Sequence, residues 1–360
     1  MLAICQDGTV SNERVPGTVD RMRDERGERF GTWLAARLGV ASVNLSDIDT
    51  PKTGGLSSET WMLEADWGAG PRGLVVRLPP AGEGLFPEYD LALQAKVMDA
   101  LRQESTVPVP SVLWHETNPE VLGREFMVME RVDGRIPSDN PGYHFEGWLK
   151  DLDAGAQRRY FDATIDTLAA IHRFDWVAAG LGFLPGTGLA REFAYWGAYL
   201  DWVAAGERFA AIDAAFAWCS EHRPTTEPPP SLVWGDTRFG NIVFSSDVGA
   251  EPLVRAVLDW EMASLGPAEL DLGWYLFLER TALQFAPQLA GFPDRAGTIA
   301  AYERSLGREV VDVDWYEIWG GVRSAAIMIR VAADLAALGL VGEDFRGDNP
   351  VTQLLATLTE

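Results

Sequence analysis

"LVWGDTRFGNIVF" (residues 232–244) sets two apolar, strand-like runs on either side of a Gly-Asp turn, with Arg238 and Asn241 close behind Asp236. Gly and Asp are ordinary turn residues, but an Arg and an Asn at this spacing exceed what a turn needs. The stretch reads as part of a hairpin whose return segment is "LVRAVLDWEMASLG" (residues 253–266), with Asp259 where its strand ends. A hairpin brings the loop before its first strand close to the loop after its second. Asp236, Asn241 and Asp259 are therefore expected to converge. A carboxylate and an amide oxygen suit Mg²⁺, which prefers oxygen ligands and retains water. A second carboxylate in reach can accept a proton from an attacking hydroxyl. Arg238 would add a cation beside a transferring phosphoryl group.

The remainder of the 360-residue chain narrows the classes open to such a site. Lys and Arg number 30 against 53 Asp and Glu, for a net charge of −23. That balance argues against nucleic acid or an anionic membrane as the partner, because both demand basic patches. It is compatible with a cationic small molecule and equally with plain solubility. The two cysteines, Cys5 and Cys219, stand far apart in no metal-like spacing, which fits a reducing compartment. No secretion signal is evident at the N-terminus, and no run is long and apolar enough to span a membrane. A cytoplasmic location is expected.

The chain's length favours two lobes over one core. Residues 1–40 read as an N-terminal extension carrying a helix over 20–38, with Phe30, Leu34 and Leu38 at four-residue spacing. Residues 41–131 read as a small strand-rich lobe with one helix near 87–104. Residues 132–360 read as a larger, mainly helical lobe that carries the polar hairpin. Its helices are expected near 156–174, as one helix across 191–220, and near 268–290, 295–306 and 314–340. The order makes the fold class α+β.

Asp-x-Arg-x-x-Asn followed by a strand-terminal Asp is also the loop pattern of protein kinases, with Arg where those carry Lys. "WGDTRFGN" (234–241) together with "VLDWEMASLGPAELDLGWYL" (257–276) resembles the aminoglycoside phosphotransferase family of kinase-fold small-molecule kinases. The resemblance covers about residues 45–340. It implies a protein-kinase-like bilobal fold, with the N-lobe binding ATP. It further implies that Asp236 is the catalytic base, that Asn241 and Asp259 bind Mg²⁺, and that Asp271 supports the site without reacting. Trp234 replaces the family's usual His before Gly-Asp and is expected to pack. His172 is expected to cap or pack near the site.

By the same resemblance, "TGGLSSET" (53–60) covers the phosphates, with the Ser57 and Ser58 hydroxyls as candidate contacts. "LVVRLPP" (74–80) places Arg77 where the family has its phosphate-binding Lys, and Gln94 where it has the pairing Glu. An Arg there is expected to take support from the Gln94 amide oxygen. Met129 would sit behind the adenine, with the Glu130 carbonyl and Val132 amide at its edge. The acceptor site is open: Asp201, Glu261, Glu269 and Glu279 are acidic candidates for holding a cation. Several of the 14 Trp residues on large-lobe helices read mostly as core.

The reading is an ATP- and Mg²⁺-dependent phosphotransferase acting on a small-molecule hydroxyl, an aminoglycoside-like cation being one candidate acceptor. The alternative is a pseudokinase or nucleotide-binding sensor, motivated by the Arg77 and Gln94 departure.

Overall fold

A computed structural model describes residues 18–50, 57–186 and 188–360, with side chains from Glu25 onward. Cys5, residues 1–17 and the Gly54-Gly55 turn fall outside these. The chain divides into two compact units. One runs through Asp99 and adds Pro110–Val132; the other comprises Ala100–Val109 and Asp133–Glu360.

In the first unit a helix, α1 (Thr18–Leu38), precedes a five-stranded sheet. The strands are β1 (Asn44–Leu45), β2 (Glu59–Asp66), β3 (Arg72–Leu78), β4 (Val112–Glu116) and β5 (Phe126–Glu130); α2 (Leu91–Glu104) runs between β3 and β4, its residues from Ala100 on counted with the second unit. The sheet is antiparallel in the order β1-β2-β3-β5-β4. Strand alternation sends Trp61, Leu63, Leu74, Val76, Leu78, Phe126 and Val128 to one face. There they form a core with Phe30 and Leu34 of α1. The helix is thus part of the sheet's core. Arg77 pairs with Met127 and Val75 with Met129, so these four alternate to the opposite face.

The second unit is mainly helical: α3 (Ala154–His172), α4 (Leu189–Ala204), α5 (Ala210–Glu221), α6 (Glu269–Ala282), α7 (Arg295–Leu306), α8 (Val313–Ala337) and α9 (Pro350–Thr359). The single helix expected across 191–220 is two, because the chain turns left-handed at Ala205 (φ 49°) and Gly206 (φ 90°). Helix α9 was not anticipated. Asn349 starts it with a capping box to Thr352, and Pro350 follows at the first helical position.

Two short ladders complete this unit. The quoted stretch does not pair with itself. Strand β6 (Ser231–Val233) pairs with β9 (Ser264–Gly266), while β7 (Ile242–Phe244) pairs with β8 (Val254–Val257). The β7–β8 hairpin is nested inside the β6–β9 pair. Nesting carries residues 234–241 and 258–263 across the same end of both ladders, and the Leu258 amide donates to the Asn241 carbonyl at 2.8 Å. A backbone hydrogen bond thus joins the two loops. Among the described residues, no helix is long and apolar enough to cross a membrane.

Candidate active site

The loop after β6 opens at Gly235, whose φ of +97° only glycine adopts readily. A Cβ there would lie 2.5 Å from the Met262 carbonyl oxygen, so the loop closes directly onto the 258–263 segment. Its backbone is held from below by Asp271, which is fully buried in the first turn of α6. The Trp234 amide donates to Asp271 Oδ2 at 2.7 Å and the Gly235 amide to Oδ1 at 2.8 Å. His172, at the end of α3, meets the same carboxylate through Nε2 at 2.9 Å, and its Nδ1 meets the Tyr302 hydroxyl at 2.5 Å. Burial works against charge on Asp271, but the His172 imidazole and the two backbone donors overcome it. They hold the carboxyl below its ordinary pKa. Burial also pushes the Tyr302 phenol well above its usual range, which keeps its hydroxyl a donor.

Asp236 projects from this braced loop. Its Oδ2 accepts from Asn241 Nδ2 at 2.7 Å and from Arg238 Nε at 2.9 Å. Among the described residues, its Oδ1 accepts from the Trp274 indole alone, at 3.2 Å. Asn241 Nδ2 also reaches the Asp236 carbonyl at 3.1 Å, which commits the amide nitrogen and leaves the amide oxygen as the side chain's remaining ligand atom. A short 3₁₀ turn over Phe239–Asn241 makes this geometry possible. Asp259 follows in the adjoining loop with φ 61°, a left-handed backbone unusual for a non-glycine residue and frequent at functional sites. The Trp234 indole donates to the carbonyls of Leu258 at 2.8 Å and Asp259 at 3.2 Å. The residue in the usual His position thus ties one loop to the other.

Arg238 is gripped on two sides, by Asp236 and by Asp139. Burial alone would lower its pKa; the two carboxylates overcome that and raise it. Asp139 carries no sequence signal beyond sitting in the broken "DGRIPSDNPG" loop. The structure brings it in from 99 residues away. Gly240 allows this approach, since a Cβ there would collide with the Asp139 carboxylate. Trp274 was likewise not anticipated.

The candidate nucleotide residues belong to the first unit. Arg77 donates to the Ser58 hydroxyl through Nε at 3.2 Å and Nη2 at 2.8 Å. Ser57 is buried and Ser58 half-buried. Met129 is buried in β5, on the sheet face that also carries Arg77, and Val132 lies just past the strand. Glu130 is exposed, its amide bonded to the Ser111 carbonyl at 3.0 Å. The expected support of Arg77 by Gln94 is not formed. Among the described residues the buried Gln94 amide oxygen has no hydrogen-bond partner, and the Arg77 guanidinium donates to Ser58.

The acidic candidates separate clearly. Glu269 is fully buried in a two-point ion pair with Arg308. Glu279 accepts from the Tyr143 hydroxyl and faces His144. Both are committed inside the fold. Asp201 is exposed on α4, and Glu261 is half-buried in the 258–263 loop two residues after Asp259. Trp196, Trp315 and Trp319 are buried core residues.

Comparison with known proteins places the chain among relatives. The family model described as "Phosphotransferase enzyme family" matches residues 50–308. Acyl-CoA dehydrogenase family member 11 of Gallus gallus is 31% identical over 222 residues, 61% of this chain and 26% of that protein. The Homo sapiens protein of that name is 28% identical over 295 residues, 79% of this chain and 35% of its own. The chain therefore spans about a quarter to a third of these relatives. Among solved structures, a candidate aminoglycoside phosphotransferase of Ralstonia eutropha superposes with a TM-score of 0.68 at 24% identity, covering 92% of this chain and 98% of that one. An aminoglycoside phosphotransferase mutant in ternary complex with ADP and hygromycin B gives a TM-score of 0.56 at 15% identity, covering 91% and 98%. An ethanolamine kinase of Plasmodium vivax gives 0.56 at 13%, covering 91% and 85%. These neighbours have the α+β, kinase-like fold expected from the sequence. With the family model spanning most of its length, the chain belongs to the phosphotransferase enzyme family.

Proposed function

We propose that this protein transfers the γ-phosphoryl group of ATP to a hydroxyl of a small molecule. The observation that carries the reading is the state of Asp236. Oδ2 is saturated by Asn241 and Arg238, while Oδ1 has one long bond to Trp274. Oδ1 is the atom with capacity left to take the acceptor's proton. The buried Asp271 holds the loop's backbone, so Asp236 meets the acceptor without reorganising. Arg238, fixed between two carboxylates, keeps Asp236 in this orientation and adds a cation near the γ-phosphoryl.

The donors that fit Mg²⁺ are the Asn241 amide oxygen and the Asp259 carboxylate, hard oxygens on loops joined by the Leu258–Asn241 bond. Bound Mg²⁺ neutralises charge on the phosphates during transfer. Arg77, Ser57 and Ser58 contact the phosphates, and Met129, Glu130 and Val132 the adenine. The Arg77–Ser58 bond supports this assignment, because it gathers two phosphate-type donors at one point. Related folds bound to ADP with hygromycin B and the ethanolamine kinase support a nucleotide donor and a small-molecule acceptor.

Calorimetric titration with ATP, with and without Mg²⁺, tests the reading. Wild type should bind ATP in a Mg²⁺-dependent manner. Asp259→Ala should weaken that binding, and Asp236→Ala should preserve it. Binding indifferent to both Mg²⁺ and Asp259 would overturn the metal assignment. Tight binding with no transfer to any acceptor would favour a nucleotide sensor.

A further inference from the structure

Arg323, on α8, is 3% exposed. Helices α6 and α8 touch through glycine: a Cβ on Gly320 would come within 2.9 Å of the Trp274 backbone, and one on Gly273 would strike the Tyr316 backbone. This close approach brings Arg323, three residues past Gly320 on the same helix face, against Trp274. Its guanidinium carbon lies 4.9 Å from the centre of the Trp274 ring and 5.1 Å from that of Trp196. Nη2 donates to the Gly235 carbonyl at 3.0 Å. Among the described residues, Nε is buried with no acceptor and no carboxylate pairs with the side chain.

Burying a cation without an ion partner is costly, and two indole faces offset only part of that. A group retained at net cost points to a use other than stability. Among the described residues, the one hydrogen bond Arg323 makes goes to the peptide immediately before Asp236, and the ring it lies against donates to Asp236 Oδ1. We infer that Arg323 is a positioning residue for the catalytic carboxylate. Asp271 holds the Gly235 amide, Arg323 holds the Gly235 carbonyl, and Trp274, braced by the guanidinium plane, sets the rotation of the Asp236 side chain. A planar fork does both jobs at once, gripping a carbonyl while stacking on a ring; a Lys ammonium supplies the grip alone. The inference rests on the reading of Asp236 as the base.

Two readouts test it on the full-length protein: amide hydrogen exchange of the 234–238 loop, and steady-state turnover with MgATP and an accepted alcohol. Arg323→Gln should speed exchange at Gly235–Thr237 by about tenfold or more while α6 and α8 keep wild-type protection. It should lower kcat by about 10²-fold with the KM for ATP unchanged. Arg323→Lys should recover part of both, and serves alone if the Gln variant does not fold. In an Asp236→Asn background, Arg323→Gln should leave residual turnover where it was, because the group it positions is gone. Unchanged loop exchange would overturn the inference, as would losses from the two substitutions that multiply. If Asp236→Asn alone leaves turnover intact, the assignment of the base fails, and the exchange data still decide whether Arg323 clamps the loop.

Discussion

Asp271→Ala should separate support of the site from chemistry within it. The carboxylate is fully buried and accepts from the Trp234 and Gly235 amides at 2.7 and 2.8 Å, with His172 at 2.9 Å. Truncation leaves both amides inside the fold with nothing to bind. An orphaned buried donor costs about 1–3 kcal/mol, so the pair costs about 2–6 kcal/mol. Urea unfolding of wild type and variant should show a lower midpoint with an unchanged slope, and the loss should be of that size. Because the folded pKa of Asp271 lies below its ordinary value, its contribution is full above pH 3.8 and is lost as pH falls through the folded value. The variant should therefore lose less stability than wild type over that acid range. Turnover should fall with stability, since the loop carrying Asp236 loses its floor. A destabilisation under about 1 kcal/mol would refute the reasoning, because two buried backbone donors would then have found new partners at no cost.

Three further outcomes follow from local geometry. Gly240→Ala should push Asp139 off Arg238 and cost about 1–3 kcal/mol by overpacking, with reduced turnover; wild-type activity would mean that the Asp139 contact is idle. In the first unit, the Asn118 amide, Arg37 and the Trp33 indole hold Glu116 down to about 2. Its contribution is full above pH 4.5 and is lost as pH falls toward 2, and Glu116→Gln should flatten acid unfolding followed by tryptophan fluorescence. Arg77→Ala should raise the KM for ATP with little change in kcat; an unchanged KM would remove Arg77 from the nucleotide site.

The polar loop was legible because its parts lie close in sequence: Asp236, Arg238 and Asn241 fall within one loop, and hydrogen bonds join Asp236 to the other two. Strand pairing was less legible. The return segment 253–266 was legible, but a run such as "SLV" carries no mark of its register, so the split into β6–β9 and a nested β7–β8 hairpin was not. The residues that brace Asp236 were invisible for a related reason. Asp139, Trp274 and Arg323 stand 99, 38 and 88 residues from the groups they bind, and an acid in a loop or a Trp on a helix looks the same wherever it points. Burial decided the acidic candidates too: Glu269 and Glu279 are consumed by internal partners that lie far off in the chain. The break between α4 and α5 and the start of α9 were written in Gly206 and in Asn349-Pro350. There the signal was present, but the helical pattern around Gly206 outweighed it.

The most direct test of the central claim is ATP consumption with Mg²⁺ over a panel of aminoglycosides, amino alcohols and neutral alcohols, with phosphorus NMR of the products and Asp236→Asn in parallel. The account predicts acceptor-dependent ADP formation, a phosphate ester on the acceptor's hydroxyl, and loss of about 10²–10⁴-fold in the variant. ATP bound by the wild type but transferred to no acceptor, or an ester formed equally well by Asp236→Asn, would contradict it.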